Sequence, residues 1–362
     1  MENMIKLQFS SIQDRPDLKS FSPALAMEHI RRDKRFVSFG IDNDFPQYLL
    51  DIKNNNAILN SLINAAQDYT YGSEMIINSG NYLNKINSEN ENLDDTIKFV
   101  IDDLWVFGGC AIQLKFNVLG QIIEIMHTPF SIIRISPDEK TAYILEDVKN
   151  LKYVPKDIPS LSIYDPKEFV TDDIRLVYYK NDSKTSIYPK PDYFSALSSC
   201  ELLIKICHYR LAEIDNNFSA STLIKLKTNR IKDAQYMHDV ATSFRETFSG
   251  SGTAGRFAVL GLSDDESIEI DKLSPDNLDS RYTTIYEQAR NDLFCSFHCN
   301  PIIAGLPVSS GFQDQNFFDA ATLFNRLRIL PKQKVVENLF NSILGADFLK
   351  IIPLTFENYE KK

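Results

Sequence analysis

The sequence has no apolar run approaching the about 20 residues needed to cross a bilayer, so no membrane partner is expected. Its first residues, Met1 to Lys6, offer neither a basic stretch nor an apolar one, and no secretory signal is expected. Cysteine is scarce and odd in number, five in 362 residues, which argues against a disulfide framework and for a reducing compartment. Positive charge is in deficit, with 39 Lys and Arg against 49 Asp and Glu and a net charge of −10. Tight, sequence-independent gripping of nucleic acid needs a basic footprint, which this balance does not supply. An acidic surface can still surround DNA, but it repels rather than holds it. Internal repeats and low-complexity tracts are also lacking. Apolar residues are plentiful at 43%, a globular fraction, and the length suffices for two or three modules with real cores.

The clearest organisation lies between Asn277 and Gln315. Leu278, Tyr282, Ile285, Ala289, Leu293 and Phe297 recur at steps of three or four, one face of a long helix. Pro275 precedes it, Asp276 is a candidate N-cap, and Pro301 is expected to end it. Then come Asn300-Pro301-Ile302-Ile303-Ala304-Gly305 and Leu306-Pro307-Val308-Ser309-Ser310-Gly311-Phe312, an apolar stretch that needs an inner surface or a partner to cover it.

Taken in order, residues 1–35 read as a loose arm with a short helix over Pro23–Arg31, followed by the cluster Arg31-Arg32-Asp33-Lys34-Arg35. Helices are expected at Gln47–Ile52, Ala57–Tyr69 and Leu93–Phe107, the last stopped by Gly108-Gly109. Strands follow at Ile112–Val118, Gln121–Met126, Ser131–Ile135, Thr141–Leu145, Leu161–Tyr164 and Ile174–Lys180. Helices followed by such an antiparallel meander suggest an α+β module closing near Tyr193. Leu197, Cys200, Ile204, Cys207, Leu211, Ile214 and Phe218 then alternate steps of three and four over about three heptads. That seam suits helix–helix packing rather than burial in a large core. Between it and the helix at 277 lies a small βαββ unit: strand Thr222–Lys227, helix Ala234–Phe248, strand Phe257–Leu262 and strand Ser267–Leu273. The two long helices must therefore return side by side. Phe317, Ala321, Phe324 and Leu327 mark one face of a helix over Asn316–Leu330, which Pro331 kinks or ends. A further helix runs over Lys332–Leu344, and Leu349–Phe356 forms a terminal strand or arm.

Chemistry is harder to find. Gly250-Ser251-Gly252-Thr253-Ala254-Gly255 spells G-x-G-x-x-G, but it follows a helix and precedes a strand. That is the reverse of the order a dinucleotide site needs, and Arg256-Phe257 replace the Lys and Ser/Thr of a P-loop. Cys295, His298 and Cys299, or Cys200, Cys207 and His208, could be asked to hold a metal. There is no C-x-x-C pair, however, and Cys200 and Cys207 sit on the seam, where burial is the plainer account. Ser309 and Ser310 do not lie in G-x-S-x-G. Asp102-Asp103, Asp172-Asp173 and Asp264-Asp265-Glu266 are sequence neighbours, whose side chains diverge. No enzyme emerges, and neither metal nor cofactor is expected.

Four motifs, in this order, resemble the portal proteins of tailed bacteriophages over nearly the whole chain. They are Asn43-Asp44-Phe45-Pro46 before paired helices, and Leu104-Trp105-Val106-Phe107-Gly108-Gly109-Cys110-Ala111 at a helix-to-strand step. Tyr188-Pro189-Lys190-Pro191-Asp192-Tyr193 then leads into a long helix and Asn216-Asn217-Phe218. Last comes Asn300 to Gly305 with Ser309-Ser310-Gly311-Phe312. The resemblance implies a portal-like α+β fold: an arm at 1–35, an α/β wing at 36–193, and stem helices at 194–218 and 276–300 flanking a βαββ clip at 219–275. It further implies a tunnel loop at 301–315, a tunnel helix at 316–331 and a small crown or C-terminal arm at 332–362.

The same resemblance implies a homo-oligomeric ring, typically dodecameric, at one capsid vertex of a virion, assembled in the bacterial host cytoplasm. Double-stranded DNA would pass through it without sequence-specific contact, pumped by the terminase large subunit. The major capsid or scaffold protein and neck or adaptor proteins would be further partners. Val308, Ser309, Ser310, Gly311, Phe312 and Gln313 would form the mobile constriction near DNA. Leu197, Ile204, Leu211, Ile285, Leu293 and Phe297 would pack the stem. From Asp264 to Asp292, nine Asp and Glu stand against three Lys and Arg, which suits a lumen or rim that DNA slides past. Rival expectations are another ring-forming connector or adaptor, and a metal- or nucleotide-dependent enzyme using the cysteine or glycine clusters.

Overall fold

The computed structural model describes residues 22, 26–30, 35–78, 86–87, 90–145, 158–181, 186–215, 222–227, 235, 238–239, 242, 267–272, 278–305 and 314–354. In the arm, no helix spans the described part of 23–31. Strand β1 (His29–Ile30) instead pairs with β2 (Val37–Ser38). The cause is tertiary: the Glu28 carboxylate accepts from Ile187 N and Tyr188 N at 2.9 and 2.8 Å, which draws this segment out along the body. Asn43 is fully buried with a left-handed φ of 62°, and its Oδ1 accepts from Phe39 N at 2.8 Å and from Arg134 Nε. The Asn43-to-Pro46 motif is thus a buried turn that aims Phe45 into the core.

Helices α1 (Phe45–Asn55) and α2 (Ala57–Tyr71) follow. Pro46 lies in the first turn of α1, where its missing N–H has no helical partner to lose. Asn56 closes α1 and caps α2, accepting from Ile58 N and Leu59 N at 3.1 and 3.0 Å. Helix α3 (Leu93–Val106) starts from a capping box between Asn92 and Asp95 and stops where Gly108 takes a φ of 81°.

Strand β3 (Glu74–Ile77) lies between α2 and α3 in sequence. Strands β4 (Gly109–Phe116), β5 (Ile122–His127), β6 (Ile133–Ile135), β7 (Thr141–Ile144), β8 (Ser160–Ile163) and β9 (Ile174–Lys180) form one six-stranded sheet in the order β5-β4-β9-β8-β7-β6. This corrects the expected antiparallel meander: β9 enters between β4 and β8, and β8 and β9 run parallel, with Ser162 opposite Arg175. The connection from Tyr164 to Asp173 is too long for a hairpin and carries the chain back to the strand's starting end, so the next strand repeats the same direction.

Helices α4 (Leu197–Asp215) and α5 (Leu278–Phe297) are 19 and 20 residues long, about 30 Å each. Between them β10 (Thr222–Lys227) pairs antiparallel with β11 (Ser267–Lys272), Thr222 opposite Lys272. Of the expected intervening helix, residues 235, 238, 239 and 242 are described and helical; the expected strand Phe257–Leu262 and the Gly250–Gly255 stretch lie outside the described residues. Helix α5 ends before Pro301 is reached, because His298 adopts a φ of 51°.

Helix α6 (Asp314–Phe324) passes through a π-helical turn, Asn325–Ile329, directly into α7 (Leu330–Leu344). Pro331 therefore widens the helical path and does not end it: the π turn carries the change in hydrogen-bond spacing, and the proline falls in the first turn of α7. The extra residue also changes which side chains face inward. Phe324 and Ile329 are buried, whereas Leu327, expected beside Phe324, is half exposed. Strand β12 (Leu349–Ile352) closes the described chain by pairing antiparallel with β3, so residues 330–352 share their core with α2 and α3.

Candidate functional site

The Leu104–Ala111 and Tyr188–Tyr193 motifs meet on Phe297, where the sheet and the first helices join the long helix pair. Trp105, 1% exposed, stacks on Phe297 at 6.1 Å between ring centres, and Tyr193 stacks on the same ring at 5.7 Å. Trp105 Nε1 donates to Thr70 Oγ1 at 2.9 Å, and Tyr193 donates its hydroxyl to Val106 O at 2.8 Å. Burial pushes the Tyr193 hydroxyl well above its ordinary value, so it remains a donor. Tyr188 stacks on Phe39 at 4.2 Å, donates to Val37 O at 2.6 Å and accepts from Ile135 N at 2.9 Å. The Lys332 ammonium lies 5.2 Å over the Trp105 ring and 3.2 Å from Asp192 Oδ2, which also holds Arg328 at 3.0 Å. Aromatic stacking on Phe297 and ion pairs to Asp192 thus lock the base of α4, the end of α5 and the start of α7 onto the body.

From this base α4 and α5 run antiparallel, side by side. Ser199 donates to Asp292 Oδ2 at 2.8 Å, the Arg210 guanidinium lies over the Tyr286 ring at 5.7 Å, and Tyr209 stacks on Tyr282 at 4.9 Å. The pairing of β10 with β11 joins the two helices at their far end. The lower part of the expected seam lies in the one core that α4 and α5 share with the body. Leu197, Cys200 and Ile204 are buried in the main core, while Cys207 and Leu211 are exposed. Leu293 and Phe297 are likewise core residues, and Ile285 is 37% exposed. Sequence periodicity found the apolar stripe, whose lower half lies in the common core, and polar and aromatic residues add contacts between the helices. Of the pairing residues Tyr282 lay on the periodic stripe, whereas Ser199, Tyr209, Arg210, Tyr286 and Asp292 carry no periodic apolar signal.

A cleft of about 620 Å³ opens at the base of the pair, lined by Ser195, Ser198, Asp292, Cys295, His298 and Arg328 among others. Ser199 and Asp192, which also line it, are engaged as described. Among the described residues no group of three or more His, Cys, Asp or Glu is placed to hold a metal ion. Cys299 is buried while Cys295 and His298 are exposed, so the cysteine–histidine cluster considered in the sequence is split. Elsewhere, the buried Asp103 Oδ2 lies 2.7 Å from His127 Nε2 and accepts from Phe130 N at 3.1 Å. Burial raises the Asp103 carboxyl, with His127 and the Phe130 N–H opposing it. This pair joins α3 to the sheet edge.

After α5, Asn300 Oδ1 accepts from Ile302 N at 3.1 Å to cap a short 3₁₀ turn, Pro301–Ala304, which Gly305 ends with a φ of 77°. Ile302 is buried, and Ala304 O accepts from Ser61 Oγ of α2 at 3.4 Å, so the start of the apolar stretch is covered by the chain itself. Val308, Ser309, Ser310, Gly311, Phe312 and Gln313 lie outside the described residues. No described helix is long and apolar enough to cross a membrane.

A mixed helix-and-sheet body bearing an antiparallel helix pair with a two-stranded ladder at its far end defines the class. Solved structures resemble the chain over most of its length, and the chain has a phage-portal-like fold. A chain from the virion of a native gene transfer agent particle is 15% identical, with 85% of this chain and 83% of that one covered and a TM-score of 0.57. A chain from the neck of the native particle, computed with C12 symmetry, gives 15% identity, coverage of 85% and 84%, and a TM-score of 0.55. An HK97-family phage portal protein from Corynebacterium diphtheriae gives 11% identity, coverage of 82% and 88%, and a TM-score of 0.51. At these identities the likeness is one of fold. Scans of the sequence against protein-family models and curated proteins found no match.

Proposed function

We propose that this chain is a portal protein, one subunit of a ring at a capsid vertex through which double-stranded DNA is packaged and ejected. The observation that carries the proposal is the antiparallel pair α4 and α5 rising from a locked base and capped by the β10–β11 ladder, within a portal-like fold. In this proposal residues 36–193 are the wing, 194–218 and 276–300 the stem, and 219–275 the clip. The stretch 301–315 is the tunnel loop, 316–331 the tunnel helix, and 332–362 a small crown that shares the body's core. Leu211 and Ile285, exposed on the helix pair, are stem contacts between copies; Leu197, Ile204, Leu293 and Phe297 hold the stem to its own subunit.

Twelve copies are the expectation, in line with the C12 symmetry of the similar neck assembly. The terminase large subunit, capsid or scaffold protein and neck or adaptor proteins are the proposed partners. Val308 to Gln313, between the Gly305 turn and α6, form the constriction around DNA. Native mass spectrometry and negative-stain imaging of the full chain test ring formation directly: central-channel rings are expected, and a chain that stays monomeric across concentration and ionic strength counts against it. Deleting residues 308–313 should leave rings intact while packaging with the cognate terminase falls; undiminished packaging would remove the tunnel loop from the proposal.

A further inference from the structure

Three large apolar side chains stand further out into solvent than any others among the described residues, and the fold brings them to one place. Val118 and Leu119, 75% and 73% exposed, form the tip of the β4–β5 hairpin, and Phe169, 81% exposed, lies in the connection from β8 to β9. The two loops are fastened together. Asn117 O accepts from Gly120 N at 2.9 Å and from Asp172 N at 3.1 Å, and Asp173 O accepts from Phe116 N at 2.9 Å. Gly120 has no side chain, so the Phe169 ring lies against it; a Cβ there would be 2.7 Å from Phe169 Cε2. Within the hairpin, Asn117 Oδ1 accepts from Leu119 N and Gln121 N, both at 2.9 Å, and the buried Val170 anchors the second loop. Ile123, 50% exposed, lies next along β5. The subunit holds these side chains in place without burying them.

We infer that this two-loop tip is a docking surface for a different protein, one that presents an apolar surface bordered by Lys and Arg. The inference goes beyond the portal proposal and does not depend on it. Charge chooses the occupant. Beside the tip, Lys115 pairs with Glu124 at 3.0 Å and Arg175 with Asp173 at 3.1 Å, which leaves the exposed Asp165, Glu168 and Asp172 against Lys167. That acidic excess attracts a basic border. It repels DNA phosphate, an anionic lipid surface and a second copy of a chain whose net charge is −10. Apolar side chains exposed singly need no partner, but three gathered on one braced tip mark an interaction site. The bracing also favours affinity, because a tip already fixed by Asn117 loses little freedom on docking.

The test uses the full chain and, as probe, a fluorescein-labelled synthetic helix whose leucine stripe is bordered by lysine, with a leucine–glutamate helix as its counterpart. Leu119→Ser/Phe169→Ser removes the apolar tip without changing charge, and Leu327→Ser removes a half-exposed leucine elsewhere. Fluorescence anisotropy reads affinity, hydrogen exchange reads where the peptide sits, and circular dichroism with thermal melting reads the fold. The lysine helix is expected to bind wild type and protect residues 117–123 and 165–172. The double variant should bind it about tenfold or more weakly with its fold intact, and Leu327→Ser should bind as wild type. A wild type that does not bind the lysine helix, equal affinity in the double variant, or protection elsewhere would overturn the inference. So would equal or tighter binding of the glutamate helix. Flotation of wild type with phosphatidylserine–phosphatidylcholine vesicles, or its self-association by mass photometry, would also overturn the inference if lost in the double variant, giving the tip to lipid or to a second copy. If the double variant does not fold, Leu119→Ser alone decides: an unmoved affinity overturns the inference. None of these readouts needs a ring, so failure of the portal proposal is distinct from failure of the docking tip.

Discussion

Gly109 shows at the residue scale why a pair of small residues ends the Trp105 helix. A Cβ there would lie 2.7 Å from Tyr179 O, 2.8 Å from the Pro189 ring and 2.9 Å from the Phe130 ring. Gly109→Ala should destabilise the chain by about 1–3 kcal/mol, read from the denaturant midpoint at unchanged slope. The cysteines divide by burial. The Cys200 and Cys299 thiols are pushed up to about 12 and Cys110 is also raised, all by burial, whereas Cys207 and Cys295 are exposed. A maleimide at pH 7 should label two thiols on the native subunit, the other three only after denaturation, counted by intact mass. Asp103 supplies a pH dependence whose sign follows from its raised carboxyl. The folded chain keeps that proton to higher pH than the unfolded chain, so this group's contribution is greatest below about pH 4 and is lost as pH rises through its folded value. Asp103→Asn, which cannot lose a proton, should gain stability relative to wild type between pH 4 and 7 in parallel melts; a widening deficit would contradict the assignment. Glycine pairs and an odd cysteine count were legible in the sequence. The Asp103–His127 contact was not, because Asp103 read only as one of two neighbouring acids whose side chains diverge, with nothing local to point it at the sheet.

At the scale of elements, the informative case is the passage from α6 to α7. Gln333, 2% exposed, donates to Thr70 O at 3.1 Å and Tyr69 O at 3.3 Å, closing the carbonyl end of α2 with a side chain from α7. Gln333→Ala should cost about 1–3 kcal/mol, since it leaves both carbonyls buried without that donor. Hydrogen exchange should then quicken at the end of α2 and the start of α7 ahead of the sheet. Helices α2 and α3 were readable from their apolar spacing, and the end of α3 from Gly108-Gly109, because such signals are local. The π turn was not: a proline announces that one hydrogen bond is missing, but only the surrounding packing decides whether the helix stops or widens. For the same reason Leu327 was assigned to the wrong face. The seam on α4 was similarly visible as a stripe, yet its destination was set by how much of the helix the body overlaps.

For the molecule as a whole, β12 against β3 ties the last described strand to the region after α2, from Leu349 opposite Ile77 to Ile352 opposite Glu74. A chain ending at Leu344 should lose that ladder, bare the β3 edge, and melt well below the full chain with a tendency to aggregate; an unchanged melt would show the strand to be an ornament of the fold. Amino-acid order alone determined the acidic balance, the presence of most helices, the alternation of most strands, and the placing of two long helices around a small insert. The helices and strands among these depend on neighbours within a few turns of chain. Tertiary structure alone decided that β9 slots between β4 and β8, that Ser199, Tyr209 and Arg210 link the helix pair, and that three leucines turn outward after the π turn. Those outcomes depend on which distant surfaces compete for the same apolar side chains, and that competition is settled only when the whole body has closed.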